Sequence, residues 1–358
     1  MLSMNRRAFL RFSVTAAAAA AQLRAQNKSL RLGYDTYSIR TWEWKAIEHL
    51  DFAARLGLNA IQISSLSDYA SLDAPYLAKV RETAREKGIL IDAGTGCICP
   101  TSKSYGKASG DPVAYLIQGL KVAQAVGATS MRCFLGSSDD RYDGKGIEHH
   151  MESTLRVFRA ARSAAMDTGV KIALENHSGD MQAWELRDLI EQAGKDYVGA
   201  CLDTGNPIWC VEHPEVSVEV LAPYALTTHC RDTAIWEHSR GCAAHWTALG
   251  EGSVDMAKIG ALQKKLCPGT PLHLEIITGR PPRIVPYLED GFWKGFPKAK
   301  AADFARFLTL VKQGHPLMTP MVIEDAAGPK VSEYQAALKK QQMVDLERSL
   351  EFAKQKMI

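Results

Sequence analysis

Four short stretches, each following an apolar run, carry residue types that bind metals and move protons. They are KIALENHSGD with Glu175, CLDTGN with Asp203, THCRD with His229 and HLEI with Glu275. Three carboxylates that meet at one point repel one another unless a cation neutralises them. Carboxylate oxygens together with one imidazole suit a five- or six-coordinate divalent ion better than a structural zinc.

Each of these residues alone also has an ordinary structural explanation. An acid at a strand end is more often a helix N-cap or a surface charge, and Asp203 before Thr204 and Gly205 could start a turn. A lone His229 would usually be a core histidine. The four residues become informative together because they end four consecutive predicted strands. We therefore predict one shared metal site of Glu175, Asp203, His229 and Glu275.

The elements that would position these residues alternate regularly along the chain. Eight apolar runs are typical of strands, and they span residues 30–35, 60–64, 89–92, 130–135, 170–174, 199–203, 225–230 and 272–277. Helical periodicity fills the segments between them. This alternation predicts an α/β fold, a (β/α)8 TIM barrel over residues 29–312, with the site at the carboxyl ends of the strands. The alternative is a doubly wound open sheet, which usually has fewer strands than the eight predicted here. No phosphate-binding glycine motif follows any of these strands, which argues against a dinucleotide or P-loop site.

The two ends of the chain are predicted to lie outside the barrel. Residues 1–25 contain Arg6-Arg7 before an alanine-rich stretch, which predicts a twin-arginine signal peptide and a periplasmic or secreted protein. A disordered basic tail is the alternative. Residues 313–358 are predicted to form a C-terminal helical extension with Leu338, Leu346 and Leu350 on one side. This helix would pack on the barrel or on a second copy of the chain, so a homo-oligomer remains open.

Composition argues against several kinds of partner. The formal net charge of +3 includes four arginines and no acid from residues 1–25, so the remaining chain carries −1. A near-neutral surface predicts no nucleic-acid partner and no anionic membrane partner. No apolar run reaches the roughly 18 residues of a spanning helix. The eight cysteines form no CxxC pair, which argues against a zinc ribbon or a thioredoxin-type site.

The order of the four strand ends resembles the xylose isomerase-like TIM-barrel superfamily. This sugar phosphate isomerase/epimerase family includes ketose 3-epimerases, hydroxypyruvate isomerase and inosose dehydratase. Residues 250–255, GEGSVD, are similar to the family's glycine-rich turn after strand seven. Three positions depart from the epimerase pattern. Gln62 stands where many relatives carry glutamate, Asn206 where ketose 3-epimerases place a substrate-binding histidine, and Arg231 where lysine is frequent. The endonucleases of this barrel group need further ligands and a basic face, neither of which is found here.

The resemblance implies a mechanism and a set of site residues. Glu175 and Glu275 would face opposite sides of the substrate as catalytic acid and base, while a divalent metal polarises the carbonyl oxygen. Mn²⁺ is the metal we expect first, with Mg²⁺, Co²⁺, Fe²⁺ and Zn²⁺ as alternatives. The predicted substrate-binding residues are His177, Asn206, Arg231, Gln62 and Trp293. His177 has a second interpretation, in which it only orients Glu175.

The predicted substrate is a carbohydrate. Trp293 lies in a loop rich in aromatic residues after strand eight, which suggests a lid over a sugar; the alternative is that these rings pack under the C-terminal helix. Export argues against phosphorylated sugars, so a free sugar or keto-sugar derivative is expected. Three functions are considered: an isomerase or epimerase, a lyase or dehydratase on a keto-sugar, inosose or 3-keto-glycoside, and a non-catalytic sugar-binding protein.

Overall fold

A computed structural model describes residues 30–319, 323–325 and 327–358. The predicted signal peptide, residues 1–25, lies outside the described residues. Eight parallel strands form the centre of the fold, and they are β1 Leu32–Tyr34, β2 Ala60–Ile63, β3 Leu90–Cys97, β4 Ser130–Phe134, β5 Lys171–Glu175, β6 Val198–Asp203, β7 Ala225–His229 and, later in the chain, β10 Leu272–Leu274. Each of them overlaps a segment that the sequence predicted to be a strand, but β3 extends five residues beyond the predicted end at residue 92.

The sheet closes on itself, which confirms the barrel and excludes the open sheet. Strands β2 to β7 pair in chain order, and β1 pairs with β10. Two isolated parallel bridges join these groups, one between Asp35 and Gln62 and one between Cys230 and Leu274. The side chains that follow the strands at their carboxyl ends therefore meet in one ring.

Helices cover the outside of the barrel. They are α1 Ala46–Arg55, α2 Ala74–Lys87, α3 Pro112–Val126, α4 Ile147–Thr168, α5 Ala183–Ala193, α6 Pro214–Leu221 and α7 Met256–Leu266. Their ends follow from local chemistry. Asp73 accepts a hydrogen bond from the backbone of Tyr76 at the start of α2, and Gly88 ends that helix with φ of +65°. No described helix is long and apolar enough to cross a membrane.

A small antiparallel sheet above the mouth of the barrel was not predicted. Directly after β7 the chain forms a hairpin of β8 Asp232–His238 and β9 Gly241–Thr247. A third strand, β11 Arg283–Val285, pairs with β9. The hairpin extends the chain that leaves His229, so it places side chains over the strand ends.

The C-terminal part packs on the same barrel. Two helices follow β11, α8 Asp290–Trp293 and α9 Ala301–Gln313, and the long α10 Ser332–Lys356 ends the fold. On α10, Gln342 accepts hydrogen bonds from the backbone and the hydroxyl of Thr41, and Ser349 accepts one from the backbone of Leu249. Leu338, Leu346 and Leu350 are buried, as expected for the face of a helix that covers a core.

Candidate active site

The structure brings the four predicted metal ligands together at the carboxyl ends of consecutive barrel strands. Glu175, Asp203, His229 and Glu275 each offer one ligand atom, and these atoms lie within 4.8 Å of one another. All four side chains are buried. The Nδ1 atom of His229 lies 3.4 Å from Glu175 Oε1, 3.8 Å from Asp203 Oδ2 and 3.3 Å from Glu275 Oε2.

Polar residues inside the barrel orient the imidazole of His229. Gln62 contacts Thr227 through its amide, Nε2 to Oγ1, at 2.9 Å, and this leaves its carbonyl oxygen for His229 Nε2. Asp35 Oδ2 lies 3.4 Å from the same nitrogen. Because Nε2 donates to Gln62, Nδ1 faces the three carboxylates, and it is buried without a hydrogen-bond partner among the residues that the structure describes. A buried nitrogen aimed at three acids fits a metal ligand.

Two arginines contact the carboxylates. Arg132, on β4, pairs with Glu175 and donates from Nη1 to the carbonyl of Thr95 at 3.1 Å. Arg231 pairs with Asp203, and its Nη2 lies 2.9 Å from Glu275 Oε2. Three carboxylates thus face two guanidinium groups. The charge left over is balanced either by a metal ion or by a protonated His229, since burial acts to lower the pKa of His229 but its acidic neighbours raise it well above its ordinary value.

The pKa values of the three carboxyl groups show which of them the neighbouring cations keep ionised. Burial acts to raise the pKa of Glu175, but Arg132 and His229 hold it well below its ordinary value. Burial also acts to raise the pKa of Glu275, but Arg231 and His229 prevail and lower it to about 2. At Asp203 burial prevails over Arg231 and raises the pKa to about 7. A divalent cation would let all three carboxylates ionise, so the residues present fit a metal ion.

The three residues of the stretch ENH at the end of β5, Glu175, Asn176 and His177, have separate roles. Glu175 points to the cluster. The side-chain oxygen of Asn176 accepts from the backbone N–H of Asp203 at 2.9 Å, and its amide donates to the carbonyl of Asp203 at 2.9 Å. Asn176 therefore fixes the end of β6 against β5. His177 stacks on Phe134 with ring centroids 3.9 Å apart, and its Nδ1 lies 2.7 Å from the carbonyl oxygen of Gly136.

A cavity of about 520 Å³ opens above the cluster. Its wall includes Glu275, Arg132, Arg231 and two further residues of the predicted substrate set, His177 and Asn206. Asn206 Nδ2 donates to Glu175 Oε1 at 3.1 Å. His177 makes no hydrogen bond to Glu175, so the structure gives no support for an orienting role, and burial lowers the pKa of His177. A cavity of this size is ordinary for a small-molecule site.

Two residues predicted to bind substrate lie elsewhere. Gln62 is fully buried beneath His229, where it orients the imidazole and does not line the cavity. Trp293 donates from its indole nitrogen to the carbonyl of Tyr287 at 2.8 Å and packs edge-on against Phe304 of α9, with ring centroids 4.9 Å apart. Trp293 therefore packs under a helix, as in the alternative interpretation, although that helix is α9 and not the C-terminal α10.

Several residues of the cavity were missed. Arg132 lies in the predicted strand over residues 130–135 and is not among the predicted site residues, although an arginine inside such a run already indicates a buried acidic partner. Trp246 lies on the hairpin strand β9, where it contacts the guanidinium group of Arg231 at 4.8 Å from the ring centroid. Arg280 and Arg283 also line the cavity. The sequence did not indicate that these two arginines line the cavity, because their direction depends on the path of the loop after β10.

Comparisons with known proteins agree with this architecture. The family model for the xylose isomerase-like TIM barrel matches residues 50–291. A D-psicose 3-epimerase structure obtained in the presence of D-fructose has 15% identity and a TM-score of 0.58, and the match covers 92% of this chain and 99% of that chain. No curated protein sequence matches the chain.

Two further solved structures have a similar fold. The IOLI protein with a bound zinc atom has 15% identity and a TM-score of 0.52, covering 80% of this chain and all of that chain, 100%. The probable 3-DHS dehydratase AsbF from Bacillus anthracis has 15% identity and a TM-score of 0.53, covering 69% of this chain and 92% of that chain. At such low identity these structures show a shared fold, whereas the family model spans most of the barrel. The chain belongs to the xylose isomerase-like TIM barrel family.

Proposed function

We propose that the chain is a divalent-metal-dependent sugar isomerase or epimerase that moves a proton on a carbon next to a carbonyl. The observation that carries this proposal is the cluster of Glu175, Asp203 and Glu275 around the unpaired Nδ1 of His229. Structural neighbours with an epimerase title and with a bound zinc atom support it. We propose Mn²⁺ as the first metal to test, because an oxygen-rich set with one imidazole suits it.

The ionisation of the two glutamates suits them to proton transfer. The pKa values of Glu175 and Glu275 both lie below their ordinary range, so both carboxylates are ionised but weakly basic, and a metal would have to acidify the carbon proton that one of them removes. A bound metal would stabilise the negative charge that develops on the substrate oxygen. Asn206 and Arg231 contact these carboxylates from the cavity wall, where they would orient them and donate to substrate oxygens.

The reaction can be tested by exchange with solvent. The purified protein is incubated with Mn²⁺ and a panel of free ketoses, 3-keto-sugars and inososes in D₂O, and products are identified by NMR. An isomerase or epimerase will place deuterium on carbon, whereas a lyase or dehydratase, as the AsbF neighbour suggests, will release a dehydrated or cleaved product. Sugar binding with neither exchange nor product would indicate a non-catalytic binding protein.

Substitution of one glutamate distinguishes exchange catalysed by this site from exchange catalysed by a contaminating enzyme. Glu275→Gln keeps the shape of the side chain but removes the base, so exchange should fall by at least about 100-fold. Glu289→Gln is the control, because Glu289 is an exposed partner of Arg240 outside the cavity. Full activity of Glu275→Gln would contradict the two-glutamate mechanism.

Export through the twin-arginine segment is also proposed here, since residues 1–25 are not described.

A further inference from the structure

Two arginines that line the cavity have no ion-pair partner among the described residues. Arg280 and Arg283 both follow β10 and line the cavity that also contains Glu275. Among the residues that the structure describes, no carboxylate oxygen lies within 4.0 Å of either guanidinium group. The other two arginines of this wall differ, because Arg132 and Arg231 are both paired with acids of the cluster.

Local contacts hold both guanidinium groups in place. Arg280 donates from Nη2 to the hydroxyl of Tyr37, another residue of the cavity wall, at 3.3 Å. The guanidinium carbon of Arg283 lies 4.6 Å from the ring centroid of Trp209, which is a cation–π contact. Partial burial lowers the pKa of Arg283. Asp139 acts in the opposite direction, but no described carboxylate oxygen comes within ion-pair distance of this guanidinium group, which remains exposed to an incoming ligand.

The loop that carries these arginines is tied to other elements. Arg40 donates to the carbonyl of Thr278 at 3.1 Å, and the backbone N–H of Asp325 donates to the carbonyl of Gly279 at 2.7 Å. The hydroxyl of Thr278 donates to Asp345 on α10 at 2.8 Å. The C-terminal extension thus fixes the loop before a ligand arrives, which lowers the entropic cost of binding.

We propose that Arg280 and Arg283 form an anion-binding subsite, and that the substrate is a sugar or cyclitol derivative with a carboxylate or phosphate group. The proposal rests on the proposed function, in which the reacting carbon lies near Glu275, another residue of the same cavity wall. A planar guanidinium group donates two parallel hydrogen bonds to either kind of anion. The anion would supply the direct ion-pair partner that no described residue places within 4.0 Å of either guanidinium group.

Binding of matched sugars tests the subsite. Isothermal titration calorimetry of the full chain with Mn²⁺ is carried out with D-tagaturonate, D-fructose 6-phosphate and neutral D-fructose. We expect at least one of the charged ligands to bind about tenfold or more tightly than D-fructose, and its identity distinguishes a carboxylate from a phosphate. Arg280→Gln and Arg283→Gln should each lose about tenfold in affinity for that ligand, with D-fructose binding unchanged.

Arg240→Gln is the matched control. Arg240 lies on the β8–β9 turn, is exposed, and pairs with Glu289 away from the cavity, so its loss should leave both kinds of ligand unaffected. Equal binding of charged and neutral sugars, or unchanged binding by both cavity variants, would overturn the subsite. Selective binding of a charged sugar without carbon-bound deuterium in D₂O would contradict the proposed function alone. Deuterium exchange into D-fructose, together with equal affinity for charged and neutral sugars, would contradict the subsite alone.

Discussion

At the scale of single residues, the orientation of His229 depends on a neighbour that is not itself a ligand. The carbonyl oxygen of Gln62 contacts Nε2 of His229, while the amide of Gln62 contacts Thr227. The sequence placed Gln62 at the end of the second strand but could not show that its side chain lies beneath the cluster. The residue type of Gln62 suggested substrate binding. Its position inside the barrel indicates instead that it orients His229, a predicted metal ligand.

Removal of Gln62 should therefore weaken metal binding without removing a ligand. In Gln62→Leu the imidazole of His229 loses the group that directs Nδ1 toward the carboxylates, and Mn²⁺ affinity should fall by about 10- to 100-fold. Calorimetric titration of Mn²⁺ measures this change. Gln342→Leu is the control, since Gln342 is a buried amide on α10 bonded to Thr41. Unchanged Mn²⁺ affinity in Gln62→Leu would show that His229 is oriented by other contacts.

Another buried acid, remote from the cluster, should make stability depend on pH. Glu212 accepts hydrogen bonds from Ser217 and from the backbone N–H of Ala183 at the start of α5. Burial raises the pKa of Glu212 to about 7, although these hydrogen bonds act to lower it. Between its ordinary value and about pH 7 the folded protein keeps this proton while the unfolded chain releases it. The free energy of unfolding therefore falls as pH rises through this window.

Glu212→Gln should flatten that dependence, because glutamine stays neutral and keeps an oxygen acceptor. Between pH 5 and pH 8 the variant should lose less stability than the wild type, by at most about 3 kcal/mol. Urea unfolding at the two pH values measures the difference. Glu347→Gln, an exposed residue of α10, should follow the wild type. Parallel pH dependence in Glu212→Gln and the wild type would contradict a raised pKa at Glu212.

At the scale of elements, the turn after the hairpin explains a glycine pattern that the sequence showed only as a resemblance. The carboxylate of Asp232 accepts hydrogen bonds from the backbone N–H groups of Gly250 and Gly252 at 2.9 and 3.0 Å. A Cβ atom at Gly252 would lie 2.1 Å from Asp232 Oδ1 and 2.7 Å from the backbone of Thr233. The glycine therefore lets this turn close on the residue that follows Arg231.

Gly252→Ala should destabilise the protein by about 1–3 kcal/mol, since the new methyl group collides with a carboxylate and with the backbone. Thermal unfolding measures the loss, and exchange activity should fall with it because Asp232 and Arg231 are adjacent. Gly291→Ala is the matched control, as no atom lies within 4 Å of a Cβ placed there. Equal melting temperatures for the two variants would show that the turn adapts without cost.

The strands of the barrel and the strands of the hairpin differed in how well they could be predicted. The barrel strands are short, mainly apolar runs bounded by helical segments, and buried parallel strands are expected to have this pattern. Strand β9 reads GCAAHWT, a mixture of small and polar residues with weak strand preference. Its conformation depends on pairing with β8 and with β11, which lies 36 or more residues further along the chain. Local sequence carries little information about such pairing.

At the scale of the whole molecule, barrel closure converts four separate strand ends into one site. The order of strands predicted that Glu175, Asp203, His229 and Glu275 meet, because β5, β6, β7 and β10 follow one another around the ring. The cavity wall could not be predicted in the same way. Arg280 and Arg283 face the cavity because α10 and residues 323–325 hold their loop, and Trp246 does so because the hairpin folds over the mouth.

The central claim is that these four residues bind a divalent cation, and direct titration tests it. Chelator-treated protein is titrated with Mn²⁺ by calorimetry, for the wild type, His229→Ala and Glu212→Gln. We predict one ion per wild-type chain, at least about 100-fold weaker binding in His229→Ala, and wild-type binding in Glu212→Gln, whose buried acid lies outside the cluster. A wild-type protein that binds neither Mn²⁺ nor Mg²⁺, Co²⁺ or Zn²⁺, or a His229→Ala variant that binds as tightly, would contradict the account.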